Sequence, residues 1–374
     1  MFVPQRIALI IPTLDQSGAE KQFTLLATHL SKADFTCRVL ALTRGGPYEK
    51  ILQEHDIEVR ILNKRWKFDP WAYSRLRREL IEFDPDIVHT WLFAANAYGR
   101  LAARAVPRAK VVVSERCVDS WKAGWQTFLD RRLIAGTDQL IGNSKSVVEF
   151  YRKLGIPESK LGCIPNGIEL PVIEPVSLAS KETWRSEQGI PKESFVVGYV
   201  GRLAPQKAIQ DLIWAIETLR QIRPQCHLYI AGDGPERGRL ERLVHAVHAN
   251  AHVHFAGHVN KTDEIYRHID AFCLPSRFEG MSNSLLEAMS WGVPCLASAI
   301  PANAELIENA RSGLLFNAGD AVGLMQGLRR FIDEPELRHH LGQQARQRVS
   351  SEFTISQMVD RWVSVYRSLN AVNG

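Results

Sequence analysis

The chain of 374 residues lacks any long hydrophobic stretch, since no segment approaches the ~20 uninterrupted apolar residues that a membrane-spanning helix requires. The apolar run from Ile7 to Ile11 is ended by Pro12 and is too short for a signal peptide. The six cysteines include no C-x-x-C pair and mostly lie in apolar runs, which is typical of thiols in a reducing compartment. These absences predict a cytoplasmic protein and leave open a peripheral position on the inner face of the membrane.

Internal repeats, low-complexity tracts and heptad arrays are also missing, which excludes solenoid and coiled-coil architectures. Apolar residues make up 45% and charged residues 23%, a composition typical of folded globular proteins. The length suits two domains. Residues 1–172 contain 25 Lys/Arg and 19 Asp/Glu, whereas residues 173–374 contain 21 and 22. The basic first half indicates either an anionic partner there or an ordinary solvated surface.

Short apolar runs alternate with amphipathic segments in two series, which predicts parallel sheets built from βαβ units. The rhythm is interrupted from Pro171 to Gly189, a stretch that predicts a linker. We predict domains at 1–170 and 191–350, a linker at 171–190 and a last helical segment at 351–374. The predicted strands are Arg6–Ile11, Thr36–Leu42, Glu58–Leu62, Asp86–Thr90, Lys110–Ser114, Gln139–Gly142 and Leu161–Ile164, then Phe195–Val200, His227–Ala231, Val253–Gly257, Ala271–Pro275, Pro294–Ser298 and Gly313–Phe316. Two Rossmann-like halves facing a cleft are the natural arrangement, because ligands bind beyond the carboxyl ends of such strands.

Two cations follow the first strand of the second series. Gly201 allows a sharp turn, Arg202 comes next, and Lys207 is predicted to begin a helix running to Arg220. Two cations beside a helix N-terminus can neutralise a diphosphate without a metal ion. The alternative is a pair of solvated surface cations.

A second motif, from Ser276 to Met289, follows a later strand of the same series. Glu287 is predicted one turn into a helix whose other side is apolar, where a carboxylate can accept both hydroxyls of a ribose. Gly280 and Ser282 are predicted to expose backbone N–H groups at the helix entrance. For Glu279, a charge favoured by the helix dipole is the alternative.

Three weaker patterns are also present. Gly232-Asp233-Gly234-Pro235 lacks the G-x-G-x-x-G spacing of dinucleotide sites and alone indicates only a strand-to-helix turn. Gly18, in Ser17-Gly18-Ala19-Glu20, suits either a backbone approach to a phosphate or a plain tight turn. Asp84-Pro85-Asp86 matches a D-x-D metal signature but is placed as a turn into a strand, so we predict no metal site there.

Five motifs follow one another along the chain, and together they resemble the family-4 retaining glycosyltransferases of the GT-B fold. They are Gly18-Ala19-Glu20, Ile164-Pro165-Asn166-Gly167-Ile168, Gly201-Arg202 with Lys207, Gly232-Asp233-Gly234-Pro235 and the spacing Glu279-x7-Glu287. The resemblance covers nearly the whole chain. It implies two Rossmann-like parallel-sheet domains of the α/β class facing a central cleft. It also implies that the last helix, near Phe353–Leu369, crosses back to the N-terminal domain.

The resemblance implies roles for individual residues. Arg202 and Lys207 would bind the donor diphosphate and stabilise its developing charge, and Glu287 would hold the ribose. Glu279 would act at the donor sugar. The remaining donor-binding residues implied are Gly18, Gly201, Gly280, Met281, Ser282 and Asn283. No cofactor and no metal is implied.

One departure from the family pattern concerns the N-terminal domain. Many relatives have a histidine just after the strand equivalent to Lys110–Ser114, whereas this chain has Ser114-Glu115-Arg116-Cys117. Arg116 is therefore a candidate for binding donor or acceptor. His89, at the end of another strand, is either a cleft residue or a structural one.

Aromatic and basic residues are mixed in Lys64–Phe68 and Ser120–Phe128. Trp121, Trp125 and Phe128 share one helical face. This pattern predicts either a rim that meets an anionic membrane or lipid-linked acceptor, with Trp121 as a candidate acceptor contact, or partial burial in the core.

The resemblance implies retaining transfer of a hexose or N-acetylhexosamine from a nucleoside-diphosphate sugar to a saccharide or lipid-linked acceptor in the synthesis of surface polysaccharides. The loop Glu279-Gly280-Met281-Ser282-Asn283 and the segment Ser114-Glu115-Arg116 resemble those of family branches that use UDP-sugars. The resemblance therefore favours UDP over GDP, and no nucleic-acid partner is expected. Two alternatives remain: a UDP-sugar 2-epimerase, which shares the fold, and a non-catalytic protein that binds nucleotide sugars.

Overall fold

The computed structural model describes residues 4–32, 34–118, 123–174 and 176–371. The chain divides into two compact units. The first unit consists of Met1–Gly167 with Ile355–Gly374, and the second is Ile168–Thr354.

The first unit contains a seven-stranded sheet in which every pairing is parallel. Its order is β3-β2-β1-β4-β5-β6-β7, so the direction of winding reverses between β1 and β4. Central strands such as β1 have both faces covered, which explains their continuous apolar sequence. The strands are β1 (Gln5–Thr13), β2 (Phe35–Arg44), β3 (Glu58–Ile61), β4 (Ile87–Trp91), β5 (Lys110–Glu115), β6 (Gln139–Gly142) and β7 (Leu161–Cys163).

Helices cover both faces of this sheet, and each face has its own apolar cluster. The C-terminal helix is part of this unit, since Trp362 and Tyr366 are fully buried in the cluster that also contains Phe23 and Trp91. The helices are α1 (Gly18–His29), α2 (Pro47–Glu54), α3 (Pro70–Phe83), α4 (Leu92–Ala102), α5 (Gly124–Leu133), α6 (Lys145–Lys153) and, after the second unit, α15 (Ile355–Ala371), with 3₁₀ turns at Ala103–Ala105, Ile134–Gly136 and Glu158–Lys160.

The second unit contains a six-stranded parallel sheet of order β10-β9-β8-β11-β12-β13, in which the winding reverses between β8 and β11. Its strands are β8 (Phe195–Val200), β9 (Cys226–Ala231), β10 (Val253–Gly257), β11 (Ala271–Leu274), β12 (Cys295–Ser298) and β13 (Leu314–Phe316). Its helices are α7 (Leu178–Glu187), α8 (Ile209–Arg220), α9 (Arg237–Ala246), α10 (Asp263–His268), α11 (Asn283–Ser290), α12 (Pro301–Leu306), α13 (Ala321–Asp333) and α14 (Pro335–Glu352), with a 3₁₀ turn at Pro205–Lys207.

The predicted α/β class with two parallel sheets is confirmed, and each predicted strand has a counterpart in the structure. The segment 171–190, predicted as a linker, instead contains α7. Trp184 on this helix is buried in the core of the second unit, so α7 is part of that unit. Among the helices of the described residues, none combines the length and apolarity needed to cross a bilayer.

Three histidines meet at the edge of the second sheet. His227 on β9 and His254 on β10 place Nδ1 and Nε2 3.1 Å apart, and the ring of His252 lies 4.8 Å from that of His227. Burial, followed by the neighbouring His252 and His254, lowers the pKa of His227 to about 4. The native fold therefore holds this ring neutral at pH values where a solvated histidine is charged.

We expect acidification to destabilise the second unit through His227. Since its pKa is about 4 in the native state and about 6.5 when unfolded, the unfolded chain binds the proton first. The stabilisation is complete above about pH 6.5 and is lost as the pH falls towards about 4, by roughly 2 kcal/mol at about pH 5. Urea unfolding at a series of pH values should show a smaller acid loss for His227→Phe than for the native chain. His245→Gln, at an exposed position on α9, is the control, and an unchanged pH slope in His227→Phe would contradict the prediction.

Candidate functional site

The predicted donor residues of the second unit lie at the reversal point of its sheet. The turn after β8 carries Arg202 and Lys207, and the loop after the neighbouring β11 carries Glu279. Both loops leave the carboxyl ends of parallel strands, where open α/β sheets bind ligands. The backbone N–H of Arg277 donates to the carbonyl oxygen of Gln206 at 2.8 Å and ties the two loops together.

The turn from Gly201 to Ala208 is held in place by the side chain of Tyr199. The buried Tyr199 Oη donates to the carbonyl oxygen of Arg202 at 3.0 Å, while the Arg202 side chain is exposed. Lys207 was predicted to begin a helix but instead ends the 3₁₀ turn, and α8 starts only after Ala208. The reason is that Ala208 adopts a left-handed conformation with φ of 49°, which separates the two helical segments.

The Gly232-Asp233-Gly234 turn supports this arrangement, a role that its sequence alone did not reveal. A Cβ atom on Gly232 would lie 1.9 Å from the carbonyl oxygen of Gly201, and one on Gly234 would lie 2.3 Å from that of Leu203. The N–H of Leu203 donates to the carbonyl oxygen of Asp233 at 2.9 Å. The turn after β9 therefore packs backbone to backbone against the turn that carries Arg202. In the sequence, the two glycines of this strand-to-helix turn were the feature that could have indicated such close backbone packing.

Lys207 and Glu279 form an ion pair although 72 residues separate them. Lys207 Nζ lies 2.5 Å from Glu279 Oε1, and the whole Glu279 residue is only 7% exposed. Because an ammonium group has three donor hydrogens, this contact leaves Lys207 with further donors for a ligand. Glu279 fixes the position of the lysine head group, which the helix-dipole alternative did not predict.

The remaining predicted donor residues of this unit lie on α11 and in the loop just before it. Ser282 is its N-cap and accepts a hydrogen bond from the N–H of Leu285 at 3.3 Å. Gly280, Met281 and Ser282 are buried residues, and the role of the Gly280 and Ser282 N–H groups at a ligand stays a prediction. Asn283, the first residue of the helix, is partly buried.

Glu287 lies further along the same helix and is partly exposed. Tyr266 Oη donates to Glu287 Oε2 at 2.9 Å, which fixes the carboxylate. Burial, with the Glu287 carboxylate as the next cause, raises the pKa of Tyr266 well above its usual value, so the hydroxyl stays a donor. The second unit thus combines two cations with an oriented carboxylate, a set suited to a diphosphate and to vicinal hydroxyl groups.

Gly18 is the first residue of α1 and is exposed. Ser17 Oγ donates to Glu20, which is buried and also accepts from Thr13 Oγ1 at 3.2 Å. The Ser17–Glu20 segment is therefore tied down by its glutamate. A role of Gly18 at a phosphate stays a prediction.

The structure corrects the candidate position of His89 in a cleft. His89 is fully buried, with Nδ1 2.7 Å from Tyr366 Oη and Nε2 2.8 Å from Ser114 Oγ. Burial lowers the pKa of its ring well below the usual range. Both ring nitrogens have partners inside the core, so the structural alternative holds: His89 connects α15 to β4 and β5 of its own unit.

Arg116 follows β5 and is 9% exposed. Its Nη2 donates to Asn166 Oδ1, its guanidinium lies 4.5 Å from the centre of the Trp91 ring, and its carbonyl oxygen accepts from Asn143 Nδ2 at 3.3 Å. Burial lowers its pKa to about 9, which leaves it charged at neutral pH. Sequence reasoning missed the asparagine partners, although Asn166 belongs to a motif that it singled out.

The remaining candidates are the aromatic residues of the Ser120–Phe128 segment and the D-x-D pattern. Trp125 and Phe128 on α5 are 40% and 58% exposed, so both lie at the surface, and Trp125 is partly covered by Phe68 and Phe93. Trp121 lies outside the described residues. In the D-x-D pattern, Asp84 pairs with the guanidinium of Arg6 at 2.7 Å and Asp86 accepts the N–H of the same residue at 2.7 Å, which explains both carboxylates structurally.

Comparison with known proteins gives matches on both units. Residues 16–171 match the model for Glycosyltransferase Family 4, and residues 180–348 match the model for Glycosyl transferases group 1. The chain is 28% identical over 310 residues to the UDP-Gal:alpha-D-GlcNAc-diphosphoundecaprenol alpha-1,3-galactosyltransferase of Escherichia coli, covering 79% of this chain and 77% of that protein. It is 25% identical over 374 residues to the GalNAc-alpha-(1->4)-GalNAc-alpha-(1->3)-diNAcBac-PP-undecaprenol alpha-1,4-N-acetyl-D-galactosaminyltransferase of Campylobacter jejuni, covering 96% and 98%.

The fold is that of solved GT-B structures. The crystal structure of Anabaena Alr3699/HepE in complex with UDP and glucose superimposes with a TM-score of 0.87 at 19% identity, covering 97% of this chain and all of the other. Two family models that follow one another along the chain agree with this fold and with the motifs described above. The chain belongs to the family-4, group 1 glycosyltransferases of the GT-B fold.

Proposed function

We propose that this glycosyltransferase moves a hexose or N-acetylhexosamine from a UDP-sugar to a saccharide or lipid-linked acceptor, with retention of the anomeric configuration and without a metal ion. The observation that carries the proposal is the contact of Lys207 with Glu279 beside Arg202, at the reversal point of the second sheet. It brings two cations and a carboxylate to the one edge of the sheet where a nucleotide sugar binds in such folds.

In the proposed reaction the bond between the anomeric carbon and the β-phosphate oxygen breaks, and its electron pair stays on the phosphate. The acceptor hydroxyl oxygen bonds to the anomeric carbon on the same face, and its proton passes to the departing phosphate oxygen. Negative charge therefore grows on the diphosphate while the sugar becomes oxocarbenium-like. Arg202 and Lys207 stabilise that charge and supply what a divalent cation supplies in metal-dependent transferases.

In this proposal the two carboxylates, Glu287 and Glu279, have separate tasks. Glu287, fixed by Tyr266, accepts hydrogen bonds from the ribose hydroxyls. Glu279 holds Lys207 and contacts the donor sugar with the loop Gly280–Asn283. Because the buried Glu279 carboxylate is already oriented by Lys207, little reorganisation is needed when the donor binds.

Two kinds of support favour UDP and a lipid-linked acceptor. The E. coli relative is named for transfer from UDP-Gal to a diphosphoundecaprenol-linked sugar, and the C. jejuni relative is also named for an undecaprenol-linked substrate. The HepE structure holds UDP. A GDP-sugar donor is the alternative within the same reaction class.

The proposal predicts release of UDP from a nucleotide-sugar panel when a suitable acceptor is present, and unchanged rates with excess EDTA. Released UDP and GDP are measured by a coupled assay, and the anomeric configuration of the product is read by NMR. Turnover that EDTA abolishes would overturn the metal-independent part, and an inverted product would overturn retention. Conversion of the sugar without an acceptor would indicate an epimerase, and donor binding without any turnover would indicate a non-catalytic binding protein.

A further inference from the structure

Five large aromatic side chains of the first unit are exposed in one region. Trp66, Phe68 and Trp71 lie just before and at the start of α3, and Trp125 and Phe128 lie on α5; their exposed fractions run from 40% to 70%. The rings of Phe68 and Trp125 are 6.2 Å apart, which joins the two segments. We call these five residues, with the cations named below, the aromatic–basic surface.

The five rings together expose a substantial apolar area. An aromatic side chain offers roughly 150–250 Å², so five rings that are about half exposed present on the order of 500 Å² to water. The largest patch on a typical monomer is of this size and is often functional. Exposure of so much aromatic surface is unfavourable unless another phase or molecule covers it.

Cations surround the rings. Lys67 Nζ lies 4.2 Å from the centre of the Trp125 ring, and the guanidinium of Arg132 lies 5.1 Å from that of Phe128. Lys64 and Arg65 precede the first tryptophan. Among the described residues, none of these four cations forms an ion pair, so their charge is available to an anionic partner.

A cavity of about 540 Å³ opens within the same surface. Its lining includes Lys64, Arg65, Trp66, Asp69, Trp71 and Arg75. Asp69 is the one carboxylate of this lining, and it already accepts the N–H groups of Arg65, Trp71 and Ala72 at 2.8–3.0 Å as the N-cap of α3. The cavity therefore combines cations with aromatic walls, and its charge suits a phosphate group.

We propose that the aromatic–basic surface docks on the surface of an anionic phospholipid bilayer, with the rings at the level of the head groups and the cations at the phosphates. Tryptophan and phenylalanine beside lysine and arginine are the composition of interfacial binding surfaces. Each cation near an anionic bilayer contributes about 1 kcal/mol. A single-stranded nucleic acid fits less well, because Lys67 and Arg132 lie over the ring faces on which bases stack. This inference does not depend on the proposed reaction.

Sedimentation of the full chain with vesicles tests the docking surface. We expect binding to vesicles of phosphatidylglycerol and phosphatidylcholine, at least tenfold weaker binding to phosphatidylcholine alone, and weakening as salt is raised. The triple variant Trp66→Ser/Phe68→Ser/Trp71→Ser should lose at least tenfold in affinity for the anionic vesicles. Trp214→Ser, at a similarly exposed tryptophan of the second unit, is the matched control and should bind as the native chain does.

Because the three changed side chains are exposed, the triple variant should unfold at the same urea concentration as the native chain. The double variant Arg65→Gln/Lys67→Gln is a second measure that leaves every ring in place, and it should weaken binding to anionic vesicles only. Absence of vesicle binding, equal binding to both lipid compositions, or full binding by the triple variant would each overturn the proposal. So would tight binding of single-stranded RNA that the same variants remove.

Discussion

Replacing Lys207 with alanine should lower kcat/KM for the nucleotide sugar by about 10²–10³-fold, the loss typical when one preorganised group at a developing negative charge is removed. The ammonium is held in position by Glu279, so the substitution removes a preorganised donor. Initial rates with saturating acceptor measure the effect. Lys261→Ala, an exposed lysine of the same unit, should leave the rate unchanged.

The same experiment separates the two tasks given to Glu279. If Glu279 only positions the lysine, Glu279→Gln added to Lys207→Ala causes little further loss, because both changes break one interaction. If Glu279 also contacts the donor sugar, the double variant is slower than Lys207→Ala alone. Glu287→Ala should mainly raise KM for the donor, since the ribose contact is made before the bond breaks. Full turnover in both Lys207→Ala and Glu287→Ala would refute the donor site.

The strands could be predicted closely from the sequence. Gln139–Gly142, Phe195–Val200 and Val253–Gly257 agree residue for residue with the structure. Parallel strands buried on both faces are continuous apolar runs, and the turn residues around them mark their ends. A local pattern was therefore enough for the sheets, and the alternation with helices was enough for the fold class.

The candidate site was only partly readable, because its contacts are not local. Residue types and motif order indicated Lys207 and Glu279 separately, but their contact spans 72 residues. The prediction that a helix starts at Lys207 is wrong because Ala208 adopts a left-handed conformation. Nothing in the sequence indicates that conformation for an alanine. His89 was ambiguous for the same reason: its partner Tyr366 lies 277 residues away, on the last helix.

The glycine turn after β9 shows how a weak motif gains a definite task from packing. Gly232 has φ of 143°, a conformation that side chains rarely adopt. Its N–H donates to the carbonyl oxygen of Gly257 at 2.7 Å, and Gly201 donates to that of Ala231 at 3.0 Å, so the turn is held on both sides. A methyl group on Gly232 would meet the carbonyl oxygen of Gly201 and so press on the turn that carries Arg202.

Gly232→Ala should therefore destabilise the protein by roughly 2–4 kcal/mol, since a Cβ is forced onto a backbone oxygen in an unfavourable conformation. The chain offers a matched control in Gly238→Ala, on α9 of the same unit, where the nearest atom to a new Cβ is the end of the Arg242 side chain at 3.6 Å. Because alanine is the better helix former, Gly238→Ala should stabilise by about 0.5–1 kcal/mol. Urea unfolding of the two variants should shift in opposite directions. A Gly232→Ala variant as stable as the native chain would show that the turn yields, and only then should donor turnover survive the change.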